Sequence, residues 1–405
     1  MTTRPARRRL PDPGAVHDER EIEAVVAVLR ESNLAIGERV RDFEHRVAEL
    51  LAKRHGVMVN SGSSALRLAI DLLDLAPGDE VITPVVTFAT DVAPLVQSGI
   101  VPAFVDVEPD SYQIDVDGVE EMVGPQTRAI LAPNLVGNVP DWDRIREVAD
   151  AHGLTVVEDS CDVLDAWLRG ARTGTRADMS VTSFARGHAI TAAGNGGLVG
   201  IDDDGLLDRC LTLRRWGRRS ETYLFGSRQG EKDRFGPLAD GTPYDLVFLF
   251  DAIGYNFEPS ELGAAFGLVQ LEKLADNLAL RRRHFTRYSE FFAGHTDRVA
   301  VPRQLPDLET AWLGFPLMIE PDAGFARAEL QEFLDGRGID TRTIWTGNVT
   351  RQPMLGGVQV RVPDDGLPHA DAVMERGVLL PLSHAFGDDT LDVVTRTVAE
   401  FLHSH

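Results

Sequence analysis

Lysine is scarce in this chain of 405 residues. Of 41 basic residues only Lys53, Lys232 and Lys273 are lysine, so chemistry that needs a primary amine has three candidates. Cysteine is scarcer still: Cys161 and Cys210 are the whole complement, which excludes a disulfide framework and any four-thiolate zinc or iron–sulfur site built within the chain. The 11 histidines form no HExxH and no close Cys/His cluster, so no protein-built metal site is expected. No run approaches the roughly 18 apolar residues of a membrane-crossing helix, and the start MTTRPARRRLPDPG lacks the apolar stretch of a secretory leader. Positive charge is short as well. With 63 acids the net charge is -22, which argues against nucleic acid or an anionic membrane as the main partner, although a local basic pocket for a phosphate can hide in such a total. The expectation is a cytoplasmic enzyme with a flexible amino-terminal arm over residues 1–17.

What is present points to an α/β protein. The length predicts a large domain over 18–274, and a connecting helix with a small α+β domain over 275–405. Residues 18–31 and Arg39 to His55 carry helical spacing, the latter with Gly56 as its stop. Then Val57 to Asn60 reads as a strand, Ser61 to Ser64 as a small-residue turn, and the stretch from Ala65 as a helix. That turn offers free N–H groups for an anion, and equally reads as a plain N-cap. The pattern repeats through Glu80–Thr83, Phe88–Gln97, Val101–Val107, Ala129–Leu131 and Trp142–His152, which argues for a mostly parallel sheet covered on both faces. A long helix fits Gln270 to Phe292, a strand Trp312 to Ile319, and a helix Arg327 to Arg337. Pro353 to Pro368 reads equally as an active-site loop or a surface excursion.

The chain is organised around Thr155 to Gly200. A short apolar run ends in Glu158-Asp159, and a second ends in Ser183-Phe184. A polar segment centred on His188 follows and closes on Gly194-Asn195-Gly196-Gly197. Open parallel sheets place ligands at the carboxyl ends of such strands.

With Asn60-Ser61-Gly62, Asp159, Ser183-Phe184 and the glycine-rich turn in this order, the chain resembles the fold-type I pyridoxal-phosphate (PLP) enzymes acting on nucleotide-linked keto-sugars, the DegT/DnrJ/EryC1/StrS aminotransferase family. The resemblance implies a mostly parallel seven-stranded central sheet with a smaller C-terminal α+β domain. Asp159 would pair with the pyridine nitrogen of the cofactor, with Asp162 beside it. Gly62, Ser63, Ser64 and Ser183 would hold the phosphate. Phe88 would stack on the ring, or else serve as a core residue. Asn256 would reach the phosphate from a neighbouring subunit, which implies a homodimer with shared active sites.

One position departs from the family's aminotransferases. Where they carry the lysine that holds the cofactor as a Schiff base, this chain has His188. A histidine forms no imine, yet with an ordinary pKa of about 6.5 it moves protons readily. It would act on pyridoxamine phosphate (PMP), which brings its own amine. That replacement resembles the branch that dehydrates nucleotide-linked 4-keto-6-deoxyhexoses at C3. Glu158-Asp159-Ser160-Cys161-Asp162 is similar to its Glu-Asp-x-Cys-Asp pattern, and Gly347 to Pro353 to its Gly-Asn-x-x-Arg-Gln-Pro loop. The resemblance makes Arg218, Asn348 and Arg351 candidates for the substrate's diphosphate or hydroxyls; for Arg351 a surface ion pair is the other reading. Some members of the branch carry a [2Fe–2S] cluster on four cysteines after a Gly-Trp-Gly-Arg stretch. Here Trp216-Gly217-Arg218 is present, but no cysteine follows Cys210, so no iron–sulfur cluster is expected and an amino-acid donor would re-aminate the cofactor. Other PMP chemistry feeding a reductase, ordinary transamination, and a non-catalytic cofactor-binding homologue are the alternatives.

Overall fold

The computed structural model describes residues 10, 16–31, 34–230 and 234–405. Most of the arm predicted for residues 1–17 lies outside them, as does Lys232. Two helices open the described chain, α1 (Glu19–Glu31) and α2 (Glu38–Leu50). The second ends before the predicted His55, because Ala52 takes a left-handed φ of 53° and His55 already belongs to strand β1 (His55–Val59). Gly56 is therefore a strand residue and not a helix stop. It lies so close under α2 that a Cβ would fall 2.4 Å from the Glu44 carbonyl oxygen.

From β1 the chain alternates through α3 (Gly62–Leu72), β2 (Glu80–Pro84), α4 (Ala89–Gln97), β3 (Val101–Val105), α5 (Val116–Glu121), β4 (Thr127–Pro133), α6 (Trp142–His152) and β5 (Thr155–Asp159). Local chemistry sets these boundaries. Ser61 caps α3 by accepting from the Ser64 amide at 3.1 Å, Asp141 caps α6, and Gly153 closes α6 with φ of 64°. A short hairpin, β6 (Trp167–Leu168) and β7 (Ala171–Arg172), leads into β8 (Met179–Ser183) and β9 (Gly197–Ile201). Seven strands form one sheet in the order β1-β9-β8-β5-β4-β2-β3. Its pairings are parallel except those of β9, which runs against β8 and β1. Every residue of β3 and β9 is buried, which is why these strands read as apolar runs rather than alternating ones.

After α7 (Asp204–Arg214), α8 (Ser220–Leu224) and the hairpin β10 (Phe235–Pro237) and β11 (Pro243–Asp245) comes α9 (Glu261–Phe292), which starts ahead of the predicted Gln270 under a Ser260 cap. Its first half packs Ala264, Leu271, Leu274 and Leu278 with Phe43, Phe184 and Leu198. Its last turns place Tyr288 and Phe292 in a second core with Phe315, Leu317, Val394 and Phe401. That core surrounds a three-stranded antiparallel sheet, β12 (Val299–Ala300), β14 (Phe315–Ile319) and β15 (Gly377–Leu380), flanked by α10 (Arg327–Gly336), α11 (Pro368–Arg376) and α12 (Asp388–Ser404). The remaining strand, β13 (Leu308–Glu309), pairs with β6. Strand β14 begins after the predicted Trp312 because the residues before it lie along the loop behind β4, Leu313 donating to the Val136 carbonyl at 2.8 Å. No helix among the described residues is long and apolar enough to cross a membrane.

Both margins of the large sheet are occupied. Beside β3, the Arg361 carbonyl accepts from Phe104 at 2.8 Å and its amide donates to Pro102 at 3.0 Å, while its guanidinium pairs with Glu80. The middle of the Pro353–Pro368 segment is thus a strap on the sheet, while Pro353 and Met354 at its start line a separate surface hollow that shares Phe88, Arg342 and Trp345 with the cavity described below. Beside β1, the Met58 amide donates to the Glu44 carboxylate at 2.8 Å and its carbonyl accepts from Arg214 at 3.1 Å. Glu44 and Arg214 are both buried and meet at 2.8 Å. Removing one member of such a pair leaves the other charge buried without its counter-ion. Glu44→Ala is expected to cost about 3–5 kcal/mol of stability in urea unfolding, with the unfolding slope unchanged. A loss under about 1 kcal/mol would show that the pair does not close this margin.

A candidate cofactor site at the strand ends

The carboxyl ends of β1, β2, β4, β5 and β8 open on one cavity of about 450 Å³. Gly62 and Ser63 enter it from the first turn of α3, Phe88 from the loop after β2, Pro133 from β4, Asp159 from β5 and Ser183 from β8. Leu313, Gly314, Arg342, Trp345 and the run Leu379–Leu382 close the opposite side. His188 lies on the wall, in the loop between β8 and β9.

Buried carboxylates dominate one end. Asp159 accepts from the Cys161 amide at 2.8 Å, and burial first, with the charge of Asp162 adding to it, raises its carboxyl to about 6. Behind it, Glu158 accepts from Asn134 at 2.7 Å and from Ser160 and Ser180 at 2.8 Å, which fixes the end of β5. Asp162 accepts from the Val136 amide and from Trp345 Nε1, each at 2.8 Å. Burial raises it to about 7. Asp91, on the first turn of α4, accepts from the Thr87 hydroxyl, and its other oxygen is buried without a hydrogen-bond partner. Burial, reinforced by neighbouring Asp159, pushes Asp91 well above the usual carboxylate range. His188 moves the other way: burial, then the positive charge of Arg281, lowers it to about 4, so the ring is neutral at pH 7.

Seven predicted residues therefore meet around one cavity: Gly62, Ser63, Phe88, Asp159, Asp162, Ser183 and His188. Five others do not line it. The Ser64 hydroxyl donates to Asn60 Oδ1 at 2.6 Å. Asn348 and Arg351 both hold Asp371, the first at 2.6 Å and the second through both oxygens, so the ion-pair reading of Arg351 describes its contacts. Arg218 lies among Trp216, Phe248 and Phe250. Asn256 is exposed on the same segment of chain. Phe88, half exposed at 51%, meets Trp345 edge-on at 5.9 Å.

Neither described lysine lines the cavity. Lys53 lies just after α2, its side chain 1% exposed and holding Asp202 at 3.1 Å. Lys273, on α9, is paired with Asp18 and Glu21 of the α1 region.

The sequence reading missed Asp91, Arg342 and Trp345. Asp91 reads as an ordinary acid in a first helical turn, where the dipole favours it. Thr87, its partner, precedes the Phe88 cap and lies outside the helix, so no helical spacing marks the pair. Arg342 and Trp345 lie far along the chain from the other residues of the site, and neither has a local pattern.

These residues fit a pyridoxal-type cofactor. The amides of Gly62 and Ser63 at the start of α3, with the hydroxyls of Ser63 and Ser183, suit a phosphate. Asp159, a carboxylate with no cation beside it, suits a protonated ring nitrogen.

The chain is similar to known proteins over nearly its whole length. It is 37% identical over 400 residues to dTDP-4-dehydro-2,6-dideoxy-D-glucose 3-dehydratase of Saccharopolyspora spinosa, covering 96% of this chain and 86% of that one. It is 30% identical over 387 residues to dTDP-3-amino-3,4,6-trideoxy-alpha-D-glucose transaminase of Streptomyces venezuelae, covering 94% and 93%. Among solved structures, E. coli GDP-4-keto-6-deoxy-D-mannose-3-dehydratase with bound hydrated PLP superposes with a TM-score of 0.87 at 28% identity, over 96% of this chain and 99% of that one. A fold-type I PLP-enzyme architecture is thereby established. The family profile matches residues 16–399, and the chain belongs to the DegT/DnrJ/EryC1/StrS aminotransferase family.

Proposed function

We propose that this protein is a PMP-dependent enzyme that removes the C3 hydroxyl of a nucleotide-linked 4-keto-6-deoxyhexose, with His188 as the base. One observation carries the reading: the residue on the cavity wall between β8 and β9 is a neutral histidine, while the described lysines are ion-paired elsewhere. Pyridoxamine phosphate supplies the amine and the electron-accepting ring. The protein does the rest. Ser63, Ser183 and the start of α3 would hold the phosphate, Asp159 would keep the ring nitrogen protonated, and Phe88 would contribute an aromatic wall. With PMP bound, His188 would be the group on the cavity wall able to move a proton at the cofactor's methylene carbon, a task suited to a ring that is neutral at pH 7. A relative that acts on GDP-4-keto-6-deoxy-D-mannose supports the substrate class.

A second copy of the chain completes the site in this reading. Asn256 is exposed beside Ile253, 99% exposed, with Phe248 and Phe250 half exposed nearby, an apolar surface that suits a two-fold contact. Light scattering should give twice the chain mass of 44.4 kDa. A single-chain mass for active enzyme would exclude the shared site.

The direct test is mass spectrometry of the product formed by purified enzyme with PMP, glutamate and a panel of nucleotide 4-keto-sugars. Loss of the C3 oxygen is expected, and gain of an amine would refute the dehydratase reading. His188→Ala should lower turnover by about 10²–10⁴-fold while PMP still binds. His188→Lys should retain PLP covalently after borohydride reduction, seen as an added mass on the chain. Binding of PMP should also depend on pH. Asp159 pairs with a protonated ring only when ionised, so affinity should hold above pH 6 and fall by up to about tenfold per unit below it. Calorimetry at pH 5 and 7.5 measures this, and equal affinities would remove Asp159 from the role.

A further inference from the structure

Arg281 stands at the middle of α9, 1% exposed. Among the described residues it forms no ion pair. Its guanidinium instead donates to carbonyl oxygens of three separate chain segments. Nη1 reaches Trp312 at 3.2 Å, Leu313 at 3.1 Å and Leu382 at 3.4 Å. Nη2 reaches Gly187 at 3.1 Å and His188 at 3.4 Å. Nε donates to His384 Nδ1 at 3.3 Å. Gly187, His188, Leu313 and Leu382 all line the cavity, so the cation lies directly behind its wall.

A buried charge without a counter-ion is costly, and here only carbonyl dipoles and one imidazole offset it. The His188 ring, in turn, has no orienting hydrogen bond at Nδ1, which is buried and unpartnered. Histidines that transfer protons are commonly fixed by a carbonyl or carboxylate at that nitrogen. The backbone must do here what a ring partner does elsewhere.

We propose that Arg281 is the positioning residue for His188: it pins the 187–188 backbone to two segments of the facing wall, Trp312–Leu313 and Leu382. The proposal rests on the reading that His188 moves the proton. Other ionisable groups surround the ring. They are Asp91, Asp159 and Asp162 across the cavity, the Asp340–Arg342 pair at 2.8 Å on its far side, His384 beyond β15, and the adjacent Arg186. Arg281 bonds the carbonyls of both residues 187 and 188, which ties this stretch of backbone to α9. Burial lowers Arg281 itself to about 10, so it remains a cation at pH 7.

The test compares Arg281→Met, which keeps length without charge, with Arg281→Lys, which keeps charge without the fork. Folding is checked by circular dichroism. The His188 ring is titrated by NMR in full-length, histidine-labelled protein, its signal assigned by its absence in His188→Ala, and kcat and KM are measured with PMP and substrate. For Arg281→Met the His188 midpoint should rise, since one of the two causes that lower it is removed, and kcat should fall at least about tenfold with KM within about threefold. Arg281→Lys should keep the low midpoint and still lose kcat, because one ammonium cannot hold three segments. If the methionine variant does not fold, Arg281→Gln takes its place, neutral but still a donor. A folded neutral variant with an unmoved midpoint or an unchanged kcat overturns the proposal. Failure of the underlying reading looks different: His188→Ala would then keep turnover whatever Arg281 variants do to the titration.

Discussion

One helix of 32 residues is shared by two hydrophobic cores, and the cavity lies where it passes from the first to the second. The first core fixes it against α2 and the loop that follows β8. The second fixes it against the three-stranded sheet. Because cores are close-packed and do not deform continuously, this shared member sets the spacing between the strand ends and the wall that faces them. Every geometric relation in the site, from Asp159 on one side to Leu382 on the other, inherits its tolerance from that helix.

The charge pattern follows the same architecture. Strand ends bring Asp159 and Asp162 to one side, the first turn of α4 adds Asp91, and the Arg281 cation is kept behind the far wall. Buried side by side, the three carboxyls are held above the usual carboxylate range, so they favour either a proton or a cation beside them. A protonated pyridine nitrogen is such a group. Burial and charge thus push the carboxyls and the histidine in opposite directions.

Much of this is legible in the sequence. Helix α6 runs from Trp142 to His152 as its periodicity and cap indicate, and Asp159 and Ser183 end their strands as the apolar runs require. The missing lysine at His188 is visible without coordinates. What eludes a linear reading has physical causes. Gly56 marks close packing under α2, which looks like a helix stop because both uses favour glycine. Lys53 is buried because Asp202, distant in sequence, and the Ala177 carbonyl neutralise it. Arg281 sits in a basic cluster with Arg282 and Arg283, which reads as a solvated face, and only the fold shows that one of the three points inward. Asn348 and Arg351 of the Gly347–Pro353 stretch bond to Asp371 rather than line the cavity, a contact between segments that no local pattern predicts.

The strap of Arg361 along β3 and the Glu44–Arg214 pair against β1 have a consequence for how copies of this protein can meet. A seven-stranded sheet with open margins could recruit a further strand from another molecule, as happens in β-augmentation and in fibril growth. Here the outward groups of Phe104 and Met58 are already bonded within the chain, by backbone on one side and by a buried salt bridge on the other. At these two positions a neighbour finds no free backbone group to pair with, so strand addition to the large sheet is disfavoured there.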